Sequence, residues 1–138
     1  MYEYRCVIKR VVDGDTVDVD LDLGFGLWLR DERVRIFGID TPESRTRDDV
    51  EKVFGLAAKQ FVEELLPEGS RAILLSKEYK GKFGRILGDF KIGDILLTQL
   101  MLLEHHAVEY NGQSKDDIEA AHLENRRLLL ESGKVTLK

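Results

Sequence analysis

The amino-acid sequence predicts a mainly β domain with added helices (α+β content): a five-stranded OB-fold barrel decorated with three helices. Short runs rich in Val, Ile and Leu recur between turn residues, as strands do. Segments with helical periodicity follow the third and the fifth of these runs. The order is three strands, a helix, two strands, then two helices. In such a barrel the helix between strands three and four plugs the interior. At 138 residues the chain suits one domain with one core, residues 1–138.

Arg5 to Val12 and Thr16 to Leu23 are the first two strands, and the Asp-Gly-Asp between them is a hairpin signal. Val17, Val19, Leu21 and Leu23 share one face of the second strand, with Asp18, Asp20 and Asp22 on the other. The acidic face reads as solvated surface. "GFGLW" reads as a loop tip whose Phe25, Leu27 and Trp28 are expected to fold back on the barrel, with self-association as the alternative. Arg30 to Ile39 forms the third strand, broken near Gly38, and "DTPESRTRDDVEK" is a polar loop. A helix runs from about Val53 to Leu66, its apolar face including Leu56, Ala57, Phe61 and Leu65, and Pro67 and Gly69 end it.

Arg71 to Glu78 is the fourth strand, "YKGKFG" a turn, and Arg85 to Phe90 the fifth strand. Asp94 is the expected cap of a helix from Ile95 to about His105. Ser114 and Asp117 form a capping box for another that reaches about Ser132. His105 and His106 are neighbours that a helix points apart, so they make no two-histidine site alone, and His122 reads as a helix-face residue. Cys6 has no partner for an intrachain disulfide and reads as a buried thiol.

A composition of 43% hydrophobic and 34% charged residues is that of a folded globular domain. No apolar run approaches a membrane span, and "MYEYRCVIKR" lacks a signal-peptide layout, so no membrane association and a cytoplasmic location are expected. The net charge of −5 argues against holding nucleic acid by bulk electrostatics. It does not argue against a protein that binds a cation and uses it on an anionic substrate.

Three carboxylates point toward such chemistry. Asp15 ends the first turn, while Asp40 and Glu43 follow the third strand, which should pair with the second. Their expected convergence at one barrel mouth demands something positive between them. Hard oxygen ligands suit Ca²⁺ or Mg²⁺ and not zinc. Taken singly, Asp15 reads as a turn residue and Asp40, before Thr-Pro, as a turn opener. Arg35 and Asp40 should face opposite ways unless the chain bends at Gly38, and Arg85 starts the fifth strand. Singly, each arginine reads as a surface or salt-bridge residue. Beside the carboxylates, a guanidinium could grip two phosphate oxygens and neutralise charge at a five-coordinate phosphorus.

The segments "VVDGDTV", "RVRIFGIDTPE" and "GKFGR" resemble, in order and at compatible spacing, the three signature segments of the staphylococcal nuclease (thermonuclease) family. "DGDT" alone is a weak signal. The three together, with matching strand and helix order over essentially the whole chain, are specific. The resemblance implies a Ca²⁺-dependent nuclease. Asp15 and Asp40 would ligate the ion, with the backbone carbonyl of Thr41, and Glu43 would activate the attacking water. Arg35 and Arg85 would grip the scissile phosphate of DNA or RNA, leaving a 3′-phosphate and a 5′-hydroxyl.

Two departures stand out. In the substrate pocket Lys82 matches the family, but Phe83 replaces a tyrosine, which removes one hydrogen bond to a terminal phosphate. Tyr110 matches one of a pair of base-facing tyrosines whose companion is missing. Both suggest weaker substrate binding than in basic relatives. The rival reading is a non-catalytic nucleic-acid or protein-binding module of the same family. Such modules typically lose the carboxylates or arginines, and here every matched position is filled. Sequence leaves DNA against RNA preference and oligomeric state open, a monomer being favoured.

Overall fold

In the computed structural model, which describes residues 2–78 and 84–137, the strands form one six-stranded sheet and a two-stranded ribbon. The large sheet contains β1 (Tyr2–Asp13), β2 (Thr16–Gly24), β3 (Leu27–Ile36), β5 (Arg71–Glu78), β6 (Ile86–Ile92) and β7 (Ile95–Leu96). They lie in the order β3-β2-β1-β5-β6-β7. A parallel pairing of β3 with β6, Val34 opposite Ile86, joins the row to its far side and closes five strands into the expected barrel. The ribbon pairs β4 (Ile39–Asp40) with β8 (Val108–Glu109). The helices are α1 (Asp49–Leu65), α2 (Leu97–Leu103) and α3 (Lys115–Glu131). Among the described residues no helix is long and apolar enough to cross a membrane.

The barrel interior follows from strand alternation. Ile8, Val17, Val19, Val34, Ile36, Leu74, Ile86 and Phe90 fill it, and Val62 of α1 with Leu97 and Met101 of α2 pack against them. Cys6 belongs to the same core, and burial pushes its thiol up to about 12. His106 is buried and stacks on Phe61 at 4.7 Å between ring centroids. Burial lowers its pKa, as for a core histidine. A small second cluster joins Phe54 of α1 to Leu129 of α3 and to Val135.

Several expectations need correcting. The acidic face of β2 is covered, not solvated: Asp18 is 3% and Asp20 5% exposed. Strand register puts Arg10 of β1 and Arg33 of β3 on either side of Asp18, bonding it at 2.7 and 2.9 Å. Asp20 accepts from Arg30 at 3.1 Å and from the Asp31 N–H at 2.9 Å. Burial pulls both carboxyls upward, but these donors outweigh it and hold them below the usual range. The β2–β3 tip is a two-residue turn in which Phe25 and Gly26 both take positive φ, 56° and 76°. Phe25 stands fully in solvent, Leu27 is exposed, and Trp28 lies under the Arg30 guanidinium, 4.7 Å from it.

Helix α1 begins four residues before the expected start, because the Asp48 carboxylate accepts from the N–H groups of Val50 and Glu51. Asp94 does not cap α2. Asp89 of β6 does so from outside the helix, accepting from the Thr98 hydroxyl at 2.6 Å and the Thr98 N–H at 3.3 Å. Ser114 caps α3 as expected, accepting from the Asp117 N–H at 3.2 Å.

Candidate functional site

The β1–β2 turn is held on two sides. Gly14 sits where a side chain would collide: a Cβ there would lie 3.0 Å from Ala58 Cβ and 3.2 Å from Thr41 Cγ2. The turn, the loop after β4 and helix α1 therefore meet at this glycine. Asp13 accepts from the Ser44 hydroxyl and pairs with Arg45 at 3.3 Å, tying the turn to the far end of that loop. Asp15 accepts from the Thr16 hydroxyl at 3.0 Å and pairs with Arg35 at 3.4 Å.

Arg35 is held by backbone as well as by charge. Its guanidinium donates to the carbonyls of Ile36 at 2.6 Å and Ile39 at 3.1 Å. Those carbonyls are within reach because Gly38, at φ 82°, turns the chain between β3 and β4. The same bend brings Arg35 and Asp40 to one opening, as the sequence required. A cleft of about 690 Å³ is lined by Arg35, Phe37, Asp40, Arg85, Leu87 and Tyr110, among others. Tyr110 is 48% exposed, and its N–H donates to the Gly38 carbonyl at 2.9 Å. Lys82 and Phe83 lie outside the described residues.

Asp40 borders a second cleft of about 390 Å³, between the 41–48 loop and α3. Glu43 lies there with Asp48, Glu51, Glu119 and His122. The Glu43 N–H donates to Glu51 of α1 at 3.0 Å. A side chain on Gly55 of α1 would overlap the Glu43 carbonyl oxygen, so the loop rests directly on the helix backbone there. The expected convergence of three carboxylates is accordingly not met in that form. Among the described residues no three His, Cys, Asp or Glu side chains group to hold a metal. Asp40 lines the arginine cleft and Asp15 pairs with its Arg35, while Glu43 lines the second cleft, which Asp40 also borders.

The residues that could hold a cation are Asp15, Asp40 and the backbone of buried Thr41. Two carboxylates and a carbonyl are a hard-oxygen set that fits Ca²⁺, which takes six to eight oxygens and would fill the rest from water or substrate. Each carboxylate already has a nitrogen partner: Arg35 for Asp15, and His122 for Asp40 at 2.8 Å.

Sequence reasoning missed Asp13 and His122. Asp13 left no local signal, since its partners lie about thirty residues away. His122 did leave one. Ile118, His122, Asn125 and Leu129 recur at the spacing of one helix face, and that face is the inward one.

A family model described as staphylococcal nuclease homologue matches residues 33–127. The chain is 36% identical over 88 residues to a thermonuclease of Staphylococcus intermedius, covering 64% of this chain and 49% of that protein. It is 27% identical over 97 residues to a thermonuclease of Staphylococcus hyicus, covering 70% and 54%. It is also 28% identical over 92 residues to Endonuclease YhcR of Bacillus subtilis, covering 62% of this chain and 7% of that protein. The chain thus spans about half the length of the thermonucleases it matches. With the barrel order, the bend at Gly38 and the matched segment 33–127 in agreement, the chain belongs to the staphylococcal nuclease family.

Proposed function

We propose that the chain is a Ca²⁺-dependent nuclease that hydrolyses phosphodiesters of DNA, RNA or both, leaving a 3′-phosphate and a 5′-hydroxyl. The observation that carries this reading is one cleft lined by Arg35, Arg85 and Tyr110 and bordered by Asp40. Arg35 and Arg85 bind the non-bridging oxygens of the scissile phosphate and stabilise the charge that gathers there in the transition state. Arg35 suits this role because its backbone hydrogen bonds fix the guanidinium before substrate arrives. Tyr110 offers a half-exposed ring for a base to stack on, an interaction of about 1–3 kcal/mol.

Glu43 is the general base. It takes a proton from a water whose oxygen bonds to phosphorus, the bond from phosphorus to the 5′-oxygen breaks, and that oxygen takes up a proton from solvent. Asp15, Asp40 and the Thr41 carbonyl would hold Ca²⁺, which would supply positive charge to offset that of the phosphate. The names of the relatives, thermonuclease and endonuclease, support the same assignment.

Cleavage of single- and double-stranded DNA and of RNA, with Ca²⁺, with Mg²⁺ or with EDTA, tests it. Cleavage should require Ca²⁺, and Ca²⁺ should raise the melting temperature by binding the native state. Equal cleavage in EDTA would refute the metal assignment. Binding of nucleic acid without cleavage under any condition would leave the non-catalytic module as the reading.

A further inference from the structure

Helix α3 reaches the site through a residue that no reading above uses. His122 is 14% exposed, and its Nε2 lies 2.8 Å from Oδ2 of Asp40, 82 residues away in the chain. A carboxylate offers only lone pairs, so the imidazole N–H is the donor. The other ring nitrogen, Nδ1, is buried with no hydrogen-bond partner among the described residues. A leucine on this inward stripe would bury the same face without stranding a nitrogen. Among the described residues the imidazole's one hydrogen-bond partner is Asp40.

The neighbourhood makes the tie rigid. Asn125, one turn further along the same face, donates to the Ala107 carbonyl at 3.0 Å. Ala107 immediately precedes β8, whose Val108 pairs with Asp40 itself. Beyond these contacts, Leu129 seats the helix against Phe54. The Asp40 backbone is thus held by the ribbon and its side chain by the histidine, both referenced to α3.

We propose that His122 is a positioning residue: its hydrogen bond fixes the Asp40 carboxylate in the orientation that receives a divalent cation. The inference rests on the calcium reading of Asp40. With one oxygen oriented by His122, the carboxylate keeps its remaining lone pairs for an ion and loses little side-chain freedom when the ion binds. Partners of this kind, one bond removed from the metal, typically change its affinity by about ten- to a hundredfold when lost.

Calorimetric Ca²⁺ titration of the whole chain, beside melting curves in EDTA, tests this with His122→Leu and His122→Gln. Leucine fills the volume without a donor; glutamine restores an N–H near the same place. His122→Leu should weaken Ca²⁺ binding about ten- to a hundredfold, while His122→Gln stays within several-fold of the native chain. Unchanged affinity in His122→Leu, or equal weakening in both variants, overturns the proposal. A native chain that binds no Ca²⁺ overturns the calcium reading and this inference with it. If His122→Leu does not fold, the native imidazole supplies the answer through its ¹⁵N resonances: Nε2 should stay protonated and hydrogen-bonded at Ca²⁺ saturation. A resonance showing that bond broken overturns the proposal.

Discussion

Gly55→Ala sets helix propensity against the geometry of the site. In an exposed helix interior, replacing glycine with alanine stabilises by about 0.5–1 kcal/mol. Here a Cβ would stand 2.6 Å from the Ser44 amide nitrogen and closer still to the Glu43 carbonyl oxygen. Ordinary contact needs about 3.5 Å, so the loop or the helix must yield by roughly 1–1.4 Å. Both atoms are backbone, which cannot rotate away, and overpacking of this kind costs about 1–3 kcal/mol. The net effect is a loss of about 1–2 kcal/mol, a fall in melting temperature of roughly 3–8 °C. The loop that moves carries Glu43, and a displacement near 1 Å at a reacting group costs about a hundredfold in turnover. Thermal melts beside kcat at saturating Ca²⁺ and substrate would measure both. A variant that melts higher and turns over normally would show that the loop is not seated on α1 and that Glu43 is not positioned by it.

Three further outcomes are expected. Arg35→Lys and Arg85→Lys should each lower kcat by about a hundredfold or more in folded protein, since lysine keeps the charge but not the fork; normal turnover in either removes that residue from the mechanism. Asp40→Asn should weaken Ca²⁺ binding markedly, whereas Glu43→Gln should leave it within several-fold and still cut turnover about a hundredfold; recovery of Glu43→Gln at high Ca²⁺ would make Glu43 a ligand only. Asp89 carries a pH signature: burial raises its pKa despite the Thr98 and Phe90 donors, so the native state holds the proton more tightly than the unfolded chain. Its contribution to stability therefore falls as pH rises from the unfolded value near 4 through the raised native one, and relative to Asp89→Asn the native chain should gain as pH drops through that window; no relative change in denaturant melts would refute it.

The barrel was legible because its strands alternate and its turns carry Gly and Asp, both local signals. So was the placing of Arg35 and Asp40 at one opening by a bend at Gly38, since only glycine readily supplies the required φ. Alternation told which residues share a face of β2 but not what covers that face. Arg10 and Arg33 reach Asp18 through the register of two neighbouring strands, which one sequence does not display. The cap of α2 failed for a similar reason: Asp94 was the nearest candidate along the chain, whereas Asp89 arrives from β6. His122 and Asp40 meet only once α3 docks.

An acidic chain can still be cationic locally, because net charge does not say where the charges lie. Asp18 and Asp20, for example, are paired with Arg10, Arg33 and Arg30 within the barrel wall. At about 8 Å, the Debye length at physiological salt further screens what remains exposed on distant surfaces. What a phosphate meets is local. Among the described residues the charged groups lining the arginine cleft are Arg35, Arg85 and Asp40, with Asp15 paired to Arg35 beside it. Across the loop, Asp40, Glu43, Asp48, Glu51 and Glu119 gather against Lys115 and Arg126. Asp40 borders both clefts and so adjoins Arg35 and Arg85 as well as Glu43. On the proposed reading a phosphate held by Arg35 and Arg85 would lie beside Asp40, which Glu43 also adjoins.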